Sequence, residues 1–105
     1  MMNYGLNNYH IDEIHAILSL FPEIKTAVLF GSRAMGNYKE ASDIDIALIG
    51  KEINFKVLIN LKDQFENSNI PYFVDLVDYQ TIASEALLEH IDEVGIIIYN
   101  SPSAD

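Results

Sequence analysis

Phe30-Gly31-Ser32-Arg33-Ala34-Met35-Gly36 and, after a short polar interval, Ser42-Asp43-Ile44-Asp45-Ile46-Ala47-Leu48-Ile49 are the stretches that decide the reading of this chain. Successive strand residues face opposite ways, so Asp43 and Asp45 share one face while Ile44, Ile46 and Leu48 turn to the core. Two carboxylates side by side repel each other. Either one keeps a proton or a divalent cation sits between them. An open, all-oxygen pair of this kind suits Mg²⁺ or Mn²⁺. These residues alone also permit a plainer reading, in which both acids are solvent-facing members of an edge strand.

Upstream, Thr26–Phe30 is a short apolar run that stops at Gly31-Ser32, the signature of a buried strand. A glycine there lets backbone N–H groups approach a ligand, and Ser32 adds a hydroxyl. A short helix starting at Arg33 would favour an anion at its N-terminus. An ordinary tight turn is the alternative. Downstream, Asp75 lies inside the apolar run Tyr72–Val77. A carboxylate in such a strand needs a partner, water or a metal. Asp78 falls at the strand end and reads as a cap or a solvated loop acid, so Asp75 is the expected third carboxylate. Rival motifs fail on these residues. Gly36 is followed by Asn37-Tyr38 rather than Lys-Ser/Thr, which excludes a Walker loop. The aspartates precede their apolar run, the reverse of haloacid-dehalogenase-type phosphatases. A calcium loop would need an oxygen ligand where Ala47 stands.

The surrounding pattern predicts helix over 10–21, strand 26–30, polar loop 31–42, strand 43–49, helix 54–67, strand 72–77, helix 81–94 and strand 96–99. Residues 1–9 read as a loose lead-in and 100–105 as a flexible tail. The short connection between the first two strands implies an antiparallel pair. The expected class is α+β, one small domain over 1–105 with its core at about 10–99. It holds a mixed four-stranded sheet with helices mainly on one face. Half of the 105 residues are hydrophobic, enough for a core and too many for a disordered acidic chain. Sixteen acidic against six basic residues give a net charge of −10, which argues against a general nucleic-acid-binding module. There is no cysteine, hence no disulfide and no thiolate metal site. No apolar run reaches spanning length and the start lacks a basic leader, so a cytoplasmic protein is expected. His10, His15 and His90 lack metal-ligand spacing and read as helix-surface or boundary residues. Tyr38 reads as packing over the loop, with base stacking as the alternative.

Gly31-Ser32, Gly36 and Ser42-Asp43-Ile44-Asp45, at this spacing, resemble the signature of the DNA polymerase β-like nucleotidyltransferases. The likeness is nearest to the minimal nucleotidyltransferases, the small partners of HEPN proteins in two-gene toxin–antitoxin systems. It spans roughly residues 10–99 in length and segment order. The resemblance implies that Asp43, Asp45 and Asp75 form the catalytic and metal-binding set. Gly31 and Ser32 would bind the β- and γ-phosphates of ATP, with Arg33 as a further phosphate contact. The implied cofactor is Mg²⁺ or Mn²⁺, and the implied reaction is transfer of AMP from ATP to a tyrosine of the HEPN partner. Many members carry a basic residue where this chain has Met35. Little chain remains after the core, so acceptor selection is expected to come from the partner protein in a hetero-oligomer. A catalytically silent antitoxin that neutralises its partner by binding alone is the rival from another class.

Overall fold

The computed structural model describes residues 4–102. The elements are α1 (Asn8–Ser19), β1 (Thr26–Phe30), α2 (Gly31–Met35), β2 (Ile44–Ile49), α3 (Phe55–Glu66), β3 (Val74–Asp78), a 3₁₀ turn (Tyr79–Thr81), α4 (Glu85–Val94) and β4 (Ile96–Asn100). The sheet order is β3-β2-β1-β4. β1 pairs antiparallel with both β2 and β4, and β2 pairs parallel with β3. The expected mixed sheet and the antiparallel first pair are both present.

Each longer helix begins at a side chain that satisfies an orphan backbone N–H. The Asn7 side chain accepts from His10 N, and His10 Nδ1 accepts in return from Asn7 N, a capping box. Asn54 caps α3 through Val57 N, and Ser84 caps α4 through Leu87 N. α1 and α3 press Ile14, Ile17, Leu18, Val57, Leu61 and Phe65 onto one sheet face, against Ala27, Leu29, Ile44, Ile46 and Leu48. Fully burying an aliphatic side chain of this size contributes roughly 1.5–3 kcal/mol. α4 covers part of the opposite face, where Ile91 meets Val28, Phe30 and Ala47. The rest of that face stays open, and it is the face of Asp45.

Several boundaries differ from the sequence reading. Residues 4–7 are not a loose lead-in. Leu6 is buried in the core, and the Tyr4 carbonyl accepts from Arg33 Nη1. The 31–42 loop holds a five-residue helix, entered at Gly31 with φ +75° and left at Gly36 with φ +88°. Glycine meets both positive angles without steric cost. The single helix expected over 81–94 is divided. Asp78 caps the 3₁₀ turn by accepting from Gln80 N, and Ser84 then starts α4 afresh. β4 runs to Asn100, and Ser101 N donates to the Lys25 carbonyl, so ordered chain extends into the expected tail. Residues 1–3 and 103–105 lie outside the described residues.

Candidate active site

The open face gathers the carboxylates through strand register. Asp45 lies opposite Phe30 on β1 and opposite Asp75 on β3. Cross-strand partners share a face and sit about 5 Å apart. Asp43, two residues ahead of Asp45, is exposed just before β2 begins. The parallel β2–β3 pairing therefore brings Asp75 beside Asp45, across thirty residues of sequence. Asp75 itself is exposed rather than buried. The expectation that an apolar strand buries it is corrected: β3 is the terminal strand, and this side of it faces solvent. The buried acid is Asp78, at 6% exposure, whose oxygen serves the 3₁₀ cap.

Asp45 is the electrostatic centre. Its pKa is pushed up from 3.8 to about 6, first by burial and then by the charges of Asp75 and Asp43. His90 and Arg33 oppose the rise. Gly31 packs directly against this carboxylate, and a Cβ on Gly31 would run into Asp45 Oδ2. With φ at +75°, Gly31 is needed twice, for its backbone angle and for the space.

His90 is a functional residue with no spacing signal of its own. Its Nε2 accepts from Gly31 N at 3.0 Å, and its ring meets Phe30 edge-on at 6.0 Å. In the neutral ring the accepting Nε2 leaves the proton on Nδ1. His90 thus pins the turn that carries Gly31 and Ser32. Nothing local in the sequence signals this, because α4 brings His90 to β1 only through tertiary packing. His10 belongs to a helix cap, and His15 Nε2 meets the Ile98 carbonyl at 2.6 Å, joining α1 to β4.

Arg33 has a different place from the phosphate contact expected of it. It is 1% exposed. Nε and Nη2 donate to the Ser42 carbonyl at 3.1 and 2.8 Å, Nη1 donates to Tyr4 O at 3.0 Å, and Nη2 also reaches Glu40 O. The guanidinium lies 4.5 Å from the Tyr72 ring centre and 5.4 Å from that of Tyr38. Backbone carbonyls and two aromatic faces together satisfy a buried cation. Arg33 therefore clamps α2 to Ser42, and so fixes the spacing between Gly31-Ser32 and the aspartates. Tyr38 packs on this clamp.

Among the described residues, no three acidic or histidine side chains converge as a ready-made metal cage. Mg²⁺ does not require one. It keeps several waters and is commonly held by one or two carboxylates together with substrate phosphates. Asp45 with its two acidic neighbours has the donor chemistry for such an ion. No helix among the described residues is long and apolar enough to cross a membrane.

The sequence profile of the family described as "Polymerase beta, Nucleotidyltransferase" matches residues 12–104. The chain is 40% identical over 74 residues to a probable protein adenylyltransferase, MntA, of Haemophilus influenzae. That match takes in 70% of this chain and 64% of the Haemophilus protein, so the chain spans less than two thirds of that relative's length. Among solved structures, a toxin–antitoxin with AMP-PNP superposes with a TM-score of 0.71 at 26% identity, over 88% of this chain and 74% of the other. A complex of tri-AMPylated Shewanella oneidensis HEPN toxin with MNT antitoxin superposes at 0.67 over 91% of this chain and 74% of the other. Its 22% identity bears on the fold alone. The carboxylate-bearing open face, the glycine turn against Asp45 and the profile match over nearly the whole chain agree, and the chain belongs to the polymerase β nucleotidyltransferase family.

Proposed function

We propose that this chain is a metal-dependent nucleotidyltransferase that moves AMP from ATP to a hydroxyl of a partner protein, and that the partner is a HEPN-type toxin which the chain restrains as its antitoxin in the cytoplasm. The observation that carries the reading is the Gly31 turn held against Asp45, with Asp75 beside it on the open sheet face and the charge of Asp43 acting on the same carboxylate. Likeness to the Haemophilus adenylyltransferase supports the choice of AMP and of a protein acceptor.

In this reading Asp43 and Asp45 hold Mg²⁺ or Mn²⁺, with Asp75 completing the set. The ion would neutralise phosphate charge and stabilise the attacking and leaving oxygens. Gly31 and Ser32 receive the β- and γ-phosphates at the end of β1, and His90 holds that turn in place. Asp75 orients the acceptor hydroxyl and takes up its proton. The acceptor oxygen bonds to the α-phosphorus, the bond to the β-phosphate oxygen breaks, and pyrophosphate leaves. Arg33 acts at one remove, by keeping the loop between glycine and aspartates in register.

The test is neutralisation of the toxin in cells by the Asp43→Asn, Asp45→Asn double variant. The reading expects neutralisation to vanish while the two proteins still co-elute. Full neutralisation by the double variant would instead identify an antitoxin that acts by binding alone.

A further inference from the structure

α3 buries Val57, Leu61 and Phe65 yet leaves Phe55 77% and Ile59 49% exposed. These two are one helical turn apart and share a face. Phe73, just ahead of β3, is 54% exposed and faces them. Together with Lys62 they line a groove of about 320 Å³ that runs along the unpaired edge of β3, and Asp75 forms part of its wall. Large apolar side chains clustered on the surface of so acidic a chain mark a contact surface.

The sheet order indicates what the groove is for. Gly31 and Ser32 follow β1, Asp45 lies on β2, and Asp75 lies on β3 beyond it. A triphosphate seated at the β1 side has its leaving group there. Displacement at the α-phosphorus brings the attacking oxygen from the opposite side. That is the β3 side, where the groove opens.

We infer that this groove docks the acceptor protein itself. An apolar side chain beside the hydroxyl-bearing residue sits among Phe55, Ile59 and Phe73, and the docking delivers the hydroxyl to Asp75. The inference rests on the proposed nucleotidyl transfer and adds to it the surface that selects the acceptor. It also predicts that acceptor recognition and nucleotide binding are separable, because Phe55 and Ile59 lie on α3 while the phosphate-binding turn follows β1.

The test uses the purified HEPN-type protein of the source cells as acceptor, with α-labelled ATP and Mg²⁺. Phe55→Gln with Ile59→Gln removes the apolar wall at exposed helix positions. The expected result is a rise of about tenfold or more in the acceptor concentration giving half-maximal labelling. The rate at saturating acceptor and the affinity for Mg·ATP should hold within about twofold. Phe55→Leu with Ile59→Leu should restore most of the loss, and Leu20→Gln, an exposed apolar position on another element, should change nothing. An unchanged half-saturation point in the double Gln variant overturns the inference. If the wild-type chain labels nothing, nucleotidyl transfer falls, and direct binding of the HEPN-type protein then judges the groove. Weaker binding by the double Gln variant upholds it as a docking surface. Equal binding, or none by either protein, overturns it.

Discussion

Replacing Asp45 by Asn should stabilise the metal-free fold at neutral pH. In the folded chain burial and two neighbouring carboxylates raise its pKa from 3.8 to about 6. At full value such a rise penalises the ionised folded state by about 3 kcal/mol. Asp45 is only half-buried, and solvent screening reduces this to about 1–2 kcal/mol. The sign follows from proton binding. Between pH 3.8 and about 6 the folded state holds more protons than the unfolded one, so stability falls as pH rises through that window. Above it the penalty is complete, and below it the penalty is gone. Asn has nearly the same shape without the charge. Thermal unfolding followed by circular dichroism, in buffer with chelator, should show the variant melting about 5–10 °C higher at pH 7.5. The gain should shrink by about half or more at pH 4.5. Added Mg²⁺ should raise the melting temperature of the wild type and leave the variant nearly unmoved, since a ligand stabilises only the state that binds it. A variant that is less stable at pH 7.5, or a gain that ignores pH, would refute the claim that burial, reinforced by Asp75 and Asp43, penalises the ionised Asp45 in the folded chain.

Gly31→Ala should abolish nucleotidyl transfer and cost about 2–3 kcal/mol of stability, because the new Cβ meets both a positive φ and the Asp45 carboxylate. Gly36→Ala has a similar φ but open space, so urea titration should show a loss of about 1 kcal/mol, with transfer largely kept. Arg33→Met should destabilise the chain by roughly 3 kcal/mol in the same titration, since it leaves the Ser42 and Tyr4 carbonyls without their donor. Loss of Mg·ATP affinity without loss of stability would instead return Arg33 to the phosphates. His90→Phe keeps the ring packed on Phe30 but removes the acceptor for Gly31 N–H, and should cost about 1 kcal/mol. Hydrogen exchange at the Gly31 amide should quicken with it.

Alternation alone turns Asp45 of β2 away from Ile44 and Ile46, because strand period is a local property, and Asp43 lies just ahead of that strand. The same local rule located the glycine turn at the end of β1. The cost of burying an acid points to Asp75, yet Asp75 is exposed, and what sets it beside Asp45 is parallel register between β2 and β3. Register of that kind depends on the helix between the strands and is not written in either one. Arg33 shows the same limit. Its burial depends on Tyr4, Tyr38 and Tyr72, drawn from three parts of the chain. His90 was invisible for the same reason, since only the docking of α4 brings it to Gly31. The start of α4 is ambiguous in the sequence, because Asp78 and Ser84 each cap a separate turn and the apolar periodicity runs through both.

Transfer of a nucleotidyl group from the carboxylate face to a protein is open to one direct measurement. Label transfer tests it most directly, with ATP labelled at either the α- or the γ-phosphate, Mg²⁺ and the HEPN-type protein of the source cells. Stable label on that protein is expected from α-labelled ATP only, lost with Asp43→Asn and with Asp45→Asn. Label arriving from the γ-phosphate, or α-label that survives both substitutions, would contradict it.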